Sequence, residues 1–221
     1  MARSTVTIIC SVFLVGLLLG PLISLINFSG LSLSLSNSDI AAIKFTFVQA
    51  AYSATLSTIL AIPVAKALLR QNFWGKGFVV LILGAPFILP VIVAVLGLIL
   101  VFGNNGIVNN LLNLIGLGSV KIYGFWGVIL AHVFFNLPLA IRILLQALND
   151  VPGEHYRLVS SLKLSFSQNF LALEWPVLKK VCPGIWAVIF AICLSSFAVA
   201  LTLGGGPKAT TVELAIYQSF F

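Results

Sequence analysis

Acid–base, nucleophilic and metal chemistry need ionisable or thiol groups held close together, and this chain of 221 residues offers few: two histidines, five carboxylates and three cysteines. Cys10, Cys182 and Cys193 lie in or beside apolar runs without the spacing of a metal or redox pair, so they read as small hydrophobes. His132 and His155 fall in separate segments, and no clustered Ser or Asp completes a hydrolytic constellation. No GxxxxGK[ST] phosphate loop is present, and the glycine runs "GGGP" and "GLG" follow no strand pattern. Asp150, Glu154 and Glu174 share one polar stretch, with Asp39 and Glu213 outside the apolar runs. No acid–base relay of a proton-coupled carrier is therefore in place. The reading is a non-enzymatic chain without catalytic residues, cofactor or metal. What remains suits binding. In "HVFFNLP", His132 and Asn136 share a helical face at i, i+4, positioned for interhelical hydrogen bonds, the commoner role, or for contact with a solute on its pathway. Trp126, Phe134 and Phe135 offer ring faces to a cationic heteroaromatic group, although such rings in a membrane more often face lipid or core.

The elements that must hold these residues follow from composition. Hydrophobic residues make up 60% of the chain and charged residues 8%, with a mean hydropathy of +1.15, whereas about a quarter of a soluble domain is charged. Runs of about 20 apolar residues match a helix crossing a bilayer core of about 30 Å, and the short alternating segments of a barrel are missing. The fold class is thus all-α, a polytopic transmembrane bundle of about five spans: Thr5 to Phe28, Ile40 to Leu69, Phe78 to Phe102, Phe125 to Leu148 and Cys182 to Leu203. The first is longer than the apolar centre of a signal peptide and lacks a clean small-x-small site, so it reads as a retained helix. Between the third and fourth, "GNNGIVNNLLNLIGLGSVKIYG" is too rich in Gly and Asn to cross, while "IVNNLLNLI" can lie as a short interfacial helix. Gly84, Pro86 and Pro90 in "GAPFILP" predict a kink, either for packing or to line a cavity. Ser195 and Ser196 read as small packing residues.

Orientation follows from the basic residues. With a cytoplasmic amino terminus, Arg3, Lys66, Arg70, Lys76, Arg142, Arg157, Lys163, Lys179 and Lys180 lie inside, and only Lys44, Lys121 and Lys208 outside. Topology then accounts for the net charge of +7, and nucleic acid need not be invoked. This places "VPGEHYRLVSSLKLSFSQNFLALEWPVLKK" in the cytoplasm, as a loop at 149–180. Asp150 and Pro152 signal a helix start, with Leu158 and Leu162 four apart on one face. Ser165 and Gln168 form a capping box that opens a second piece through Phe170, Leu171 and Leu173 to Pro176. Helices this short need a surface to lie on: the bundle, lipid or the groove of a partner.

The ending Leu173, Glu174, Trp175, Pro176 resembles the cytoplasmic coupling loop of permease subunits of binding-protein-dependent ABC importers. In that pattern an acidic residue, two alanines, three residues, a glycine and nine residues precede Ile-x-Leu-Pro. Lys163 stands at the glycine place and Arg157, Leu158 and Val159 at the Glu-Ala-Ala place, so either the turn has another geometry or the loop is a degenerate copy. "EWP" and "LTLGGGPKATTVELAIYQ" (Leu201 to Gln218) look like the amino-terminal half of the bacterial thiamine and thiamine pyrophosphate importer permeases.

The resemblance covers the whole chain, 1–221, and implies a type I importer permease module of the inner membrane with a second module after Phe221. It further implies a homodimer of ABC ATPase subunits engaging Glu154, Arg157, Leu158, Val159, Leu162, Lys163, Leu173, Trp175 and Pro176. A periplasmic binding protein would deliver thiamine to outer loops such as "GGGPKATTVE" and "NNGIVNN". Related importers carry iron(III), polyamines or sulfate, and a secondary transporter is the remaining alternative class.

Overall fold

The computed structural model describes residues 36–161, 166–204, 206 and 209–220, together with positions 13, 15, 16, 19 and 20. The chain divides into two units, Met1–Asn37 and Ser38–Phe221. In the first, positions 13, 15, 16, 19 and 20 are helical. The rest of the expected span from Thr5 to Phe28 lies outside the described residues.

Helix α1 (Asn37–Arg70) runs as 34 residues through Pro63. Its buried stripe recurs every three or four positions and is built of small side chains, including Ala50, Ser53, Ala54, Ser57, Ala61 and Ala65. Lipid tails are as apolar as leucine, so helices gain most by approaching closely enough for dispersion contacts, which small residues allow. Helices α6 (Phe125–Asn149) and α9 (Trp175–Leu194) fill the stripe with Ala140, Ile141, Leu144 and Leu148, and with Leu178, Ile185, Ile189 and Cys193. Phe125 at the start of α6 meets Phe45 and Tyr52 edge-to-face near the start of α1, so these two helices run the same way. Helix α9 runs against them: Glu174, just before it, meets Arg70, and Cys193 near its end accepts from Gln49.

The third expected span is divided into α2 (Lys76–Ile82), α3 (Ala85–Ile88) and α4 (Val91–Phe102). Gly75 at φ 89° turns the chain into α2, a conformation that glycine adopts without a Cβ clash. The break before α4 has a local cause. The ring of Pro90 disfavours helical backbone at the residue before it, and Leu89 is extended at ψ 134°. Helix α4 alone, 12 residues and about 18 Å long, falls short of a core of about 30 Å. A crossing here needs α2 and α3 before it or α5 (Ile107–Leu114) after it. Among the described residues, four stretches are long and apolar enough to span: Asn37–Arg70, Val91–Leu114, Phe125–Asn149 and Phe170–Leu194.

The polar stretch folds as α7 (Gly153–Ser161), α8 (Phe166–Asn169) and a π-helical turn, Phe170–Glu174, that passes directly into α9. The second piece therefore does not stop at Pro176. That proline stands in the first turn of α9, directly after the π turn. The fifth expected span also ends early. Ser195 and Ser196 leave the helical region (φ −102°, ψ 50°; φ −112°, ψ 63°), and α10 (Phe197–Leu203) follows the break. The two serines thus do more than pack.

Helices α4, α6 and α10 close a second apolar cluster through Val95, Val128, Ala131, Val199 and Leu203. The "GGGPKATTVE" stretch ends on α11 (Val212–Ser219), with Thr211 as N-cap accepting from the Leu214 N–H. Thr46 on α1 holds this connection: its hydroxyl donates to the Ala42 carbonyl and accepts from the Val212 N–H at 3.0 Å. The expected interfacial helix is α5. Asn109 on it is fully buried, donates to the Gly103 and Val120 carbonyls at 2.8 and 2.9 Å, and accepts from the Val120 N–H at 2.7 Å.

Candidate functional site

Two polar sites lie along the α1–α6–α9 core. The first is inside the apolar part of the bundle. The i, i+4 spacing brings His132 and Asn136 to one buried face of α6, toward α1 and the α9–α10 junction. The two nitrogens of His132 lie 3.3 Å from Ser53 Oγ (Nδ1) and 2.6 Å from Ser196 Oγ (Nε2), so one imidazole links α1 to the serine break. Asn136 Nδ2 donates to Cys193 Sγ at 3.3 Å. Gln49 donates to the Cys193 carbonyl at 2.9 Å, while its buried Oε1 has no hydrogen-bond partner among the described residues. Interhelical bonding by His132 and Asn136 is thus directly visible. The same side chains also line a cavity of about 540 Å³ with Pro86, Leu89, Phe135 and Ser196. Two helix discontinuities face this cavity, the one at Leu89–Pro90 and the one at Ser195–Ser196. Of the three aromatic candidates, Phe135 lines the cavity, whereas Trp126 and Phe134 are exposed.

The second site is at the Arg70 end of α1. Glu154 and Arg157 are exposed on α7, and Leu158 and Val159 belong to the same helix. Leu162 and Lys163, with the expected turn and Ser165, lie outside the described residues. Leu173 is half-buried in the π turn, and Trp175 and Pro176 are exposed at the start of α9. Leu173 and Pro176 share a groove of about 520 Å³ with Asp150, Pro152 and His155, so the return of the loop is brought against its departure.

In the sequence, Glu174 reads as a loop acid and Lys66 and Arg70 as topology markers. The structure joins them. The Glu174 carboxylate is 1% exposed, with Lys66 Nζ 2.8 Å from one oxygen and the Arg70 guanidinium donating to the other. Lys66 also lies 3.9 Å over the ring of Phe170. Burying a carboxylate is tolerated when it is paired and hydrogen-bonded: Arg70 supplies the hydrogen bond, and Lys66 sets its charge beside the other oxygen. A signal was present in the sequence. Glu174 stands four residues before Leu178 on the apolar stripe that continues to Ile185 and Ile189, and Lys66 and Arg70 share a face at i, i+4. Asn109 carried no such mark among its neighbouring asparagines. Among the described residues no cluster of His, Cys, Asp or Glu is arranged to hold a metal.

The described residues thus form a polytopic helical bundle with broken helices beside a largely apolar cavity that His132 and Asn136 line, and a helical loop held at one end by an ion cluster. The chain is similar to the thiamine transport system permease protein ThiP of Escherichia coli (strain K12), 47% identical over 178 residues, and to that of Brucella abortus (strain 2308), 42% identical over the same length. Each match covers 80% of this chain and 33% of the relative, so the chain spans about a third of the length of these proteins. It is also similar, at 29% identity over 189 residues, to the molybdenum transport system permease protein ModB of Azotobacter vinelandii, with 83% of this chain matched to 82% of that protein. No family model matches.

Proposed function

We propose that this chain is a permease module of an ATP-driven importer that carries thiamine or thiamine pyrophosphate across the bacterial inner membrane. The observation that carries the reading is the 40–47% identity, along 178 residues, to proteins named as thiamine transport permeases. The similarity to most of the length of ModB supports the module as the unit of resemblance. In this reading the amino terminus is cytoplasmic, and the loop at 149–180 meets a homodimeric ATPase through Glu154, Arg157, Leu158, Val159, Leu162, Lys163, Leu173, Trp175 and Pro176. A periplasmic binding protein docks at the end that bears α5 and the "GGGPKATTVE" stretch. A second permease module completes the pathway. The bundle makes and breaks no bonds; nucleotide-driven movement of the ATPase rocks the helices between two openings. His132 and Asn136 line that path, and the apolar cavity wall with few polar groups suits a flat organic ring.

The test is uptake of radiolabelled thiamine by proteoliposomes that hold the whole permease with its ATPase and binding protein. Uptake is expected to require ATP on the loop side and to be lost in the double variant Leu158→Asp, Leu162→Asp. ATP-dependent uptake that survives this double change would refute the coupling role.

A further inference from the structure

The cluster of Glu174, Lys66, Arg70 and Phe170 sits where the loop becomes a membrane helix, and its construction differs from an ordinary surface ion pair. An exposed pair is screened and contributes little, because either side chain can swing into water. Glu174 has no such freedom. Its carboxylate is enclosed, and it sits in a π-helical turn whose backbone is continuous with α9. A π turn is wider than an α turn, which offsets the drift of the i, i+4 row and keeps Phe170, Glu174 and Leu178 on the face toward α1. Phe170 and Leu178 both pack on the apolar cluster that includes Ala65 and Leu68, so the acid is held between two apolar contacts. On α1, Ile62, Lys66 and Arg70 form the facing row, and Lys66 pairs its charge with the acid while resting on the Phe170 ring. A buried acid held by two cations cannot slide without leaving a charge unpaired, so the joint resists shear along α1.

We propose that Glu174 is a positioning residue for energy coupling: the rigid joint through which displacement of the loop at 149–180 is delivered to α1 as well as to α9. This rests on the permease reading above and names the element that carries the motion. Without the joint, the return segment moves against α1, and nucleotide turnover continues without driving transport.

The experiment compares E174Q with the parent sequence in the whole permease, assembled with its ATPase and binding protein in proteoliposomes, reading thiamine taken up per ATP hydrolysed. E174Q is expected to keep the assembly and its ATP hydrolysis but to lower that ratio about tenfold, the scale of substitutions along a coupling path. The conservative variant E174D, which keeps a carboxylate facing Lys66 and Arg70, is expected to recover most of the ratio. An unchanged ratio in E174Q overturns the proposal, as does a lowered ratio that E174D leaves unimproved. If E174Q fails to assemble, K66Q, which retains the Arg70–Glu174 pair, takes its place under the same criteria. A loop variant L158D/L162D that still imports refutes the permease coupling itself. Loss of import in that variant beside a normal ratio in E174Q refutes the joint alone.

Discussion

Asn109 gives the most direct test of how the connection between α4 and α6 is held. Its side chain is fully buried and closes the ends of one segment: Gly103 at the start and Val120 at the far end. Asn109→Ala removes three hydrogen bonds of 2.7 to 2.9 Å and leaves the Val120 carbonyl and N–H without this partner, while the Gly103 carbonyl keeps the Gly106 N–H. With each bond contributing about 0.5–1.5 kcal/mol net, the loss of three falls in the range of about 1.5–4.5 kcal/mol, centred near about 3 kcal/mol. For a domain of this size that corresponds to a fall in Tm of about 6–12 °C, on a scale of about 2–4 °C per kcal/mol. Asn109→Asp should be worse, since a carboxylate would point at two carbonyl oxygens. Asn113→Ala, at an exposed position on the same helix, should stay within about 0.5 kcal/mol. The assay is thermal unfolding of the detergent-solubilised protein, with hydrogen exchange across 103–120 as a local readout. The clamp would be refuted if Asn109→Ala unfolded within about 2 °C of the parent and left exchange across the segment unchanged.

Other outcomes follow from close contacts and topology. A Cβ at Gly127 would collide with the Ile122 carbonyl oxygen, so Gly127→Ala must displace the start of α6. The expected loss is about 1–3 kcal/mol, read in the same unfolding assay; a neutral result would show that the 122–127 turn moves freely. Membrane-impermeant thiol labelling of single-cysteine variants tests the proposed orientation: Trp74→Cys, at a fully exposed position, should react from the cytoplasmic side, and Lys121→Cys from the periplasmic side. The reverse pattern would remove the ATPase from the loop at 149–180.

What could be read before any coordinates were the features fixed by local chemistry. The span from Ile40 to Leu69 and that from Phe125 to Leu148 each lie within one observed helix, because a bilayer admits few alternatives to helix for a long apolar run. The break at Leu89–Pro90 was legible for a similar reason, since a proline restricts the residue before it wherever it occurs. The i, i+4 placement of His132 and Asn136 is likewise a property of helix geometry alone. Tertiary structure decided which polar groups meet. Ser195 and Ser196 are tolerated in a membrane helix, and it is Ser196 of this pair that bonds to His132 across the cavity beside the helix break. The π turn at 170–174 and the fate of Glu174 depended on two cations about a hundred residues earlier in the chain. Hydropathy and spacing are sums over neighbours in the chain, so they locate helices well; pairing a buried charge is a contact between distant segments, and only the packed bundle could select it.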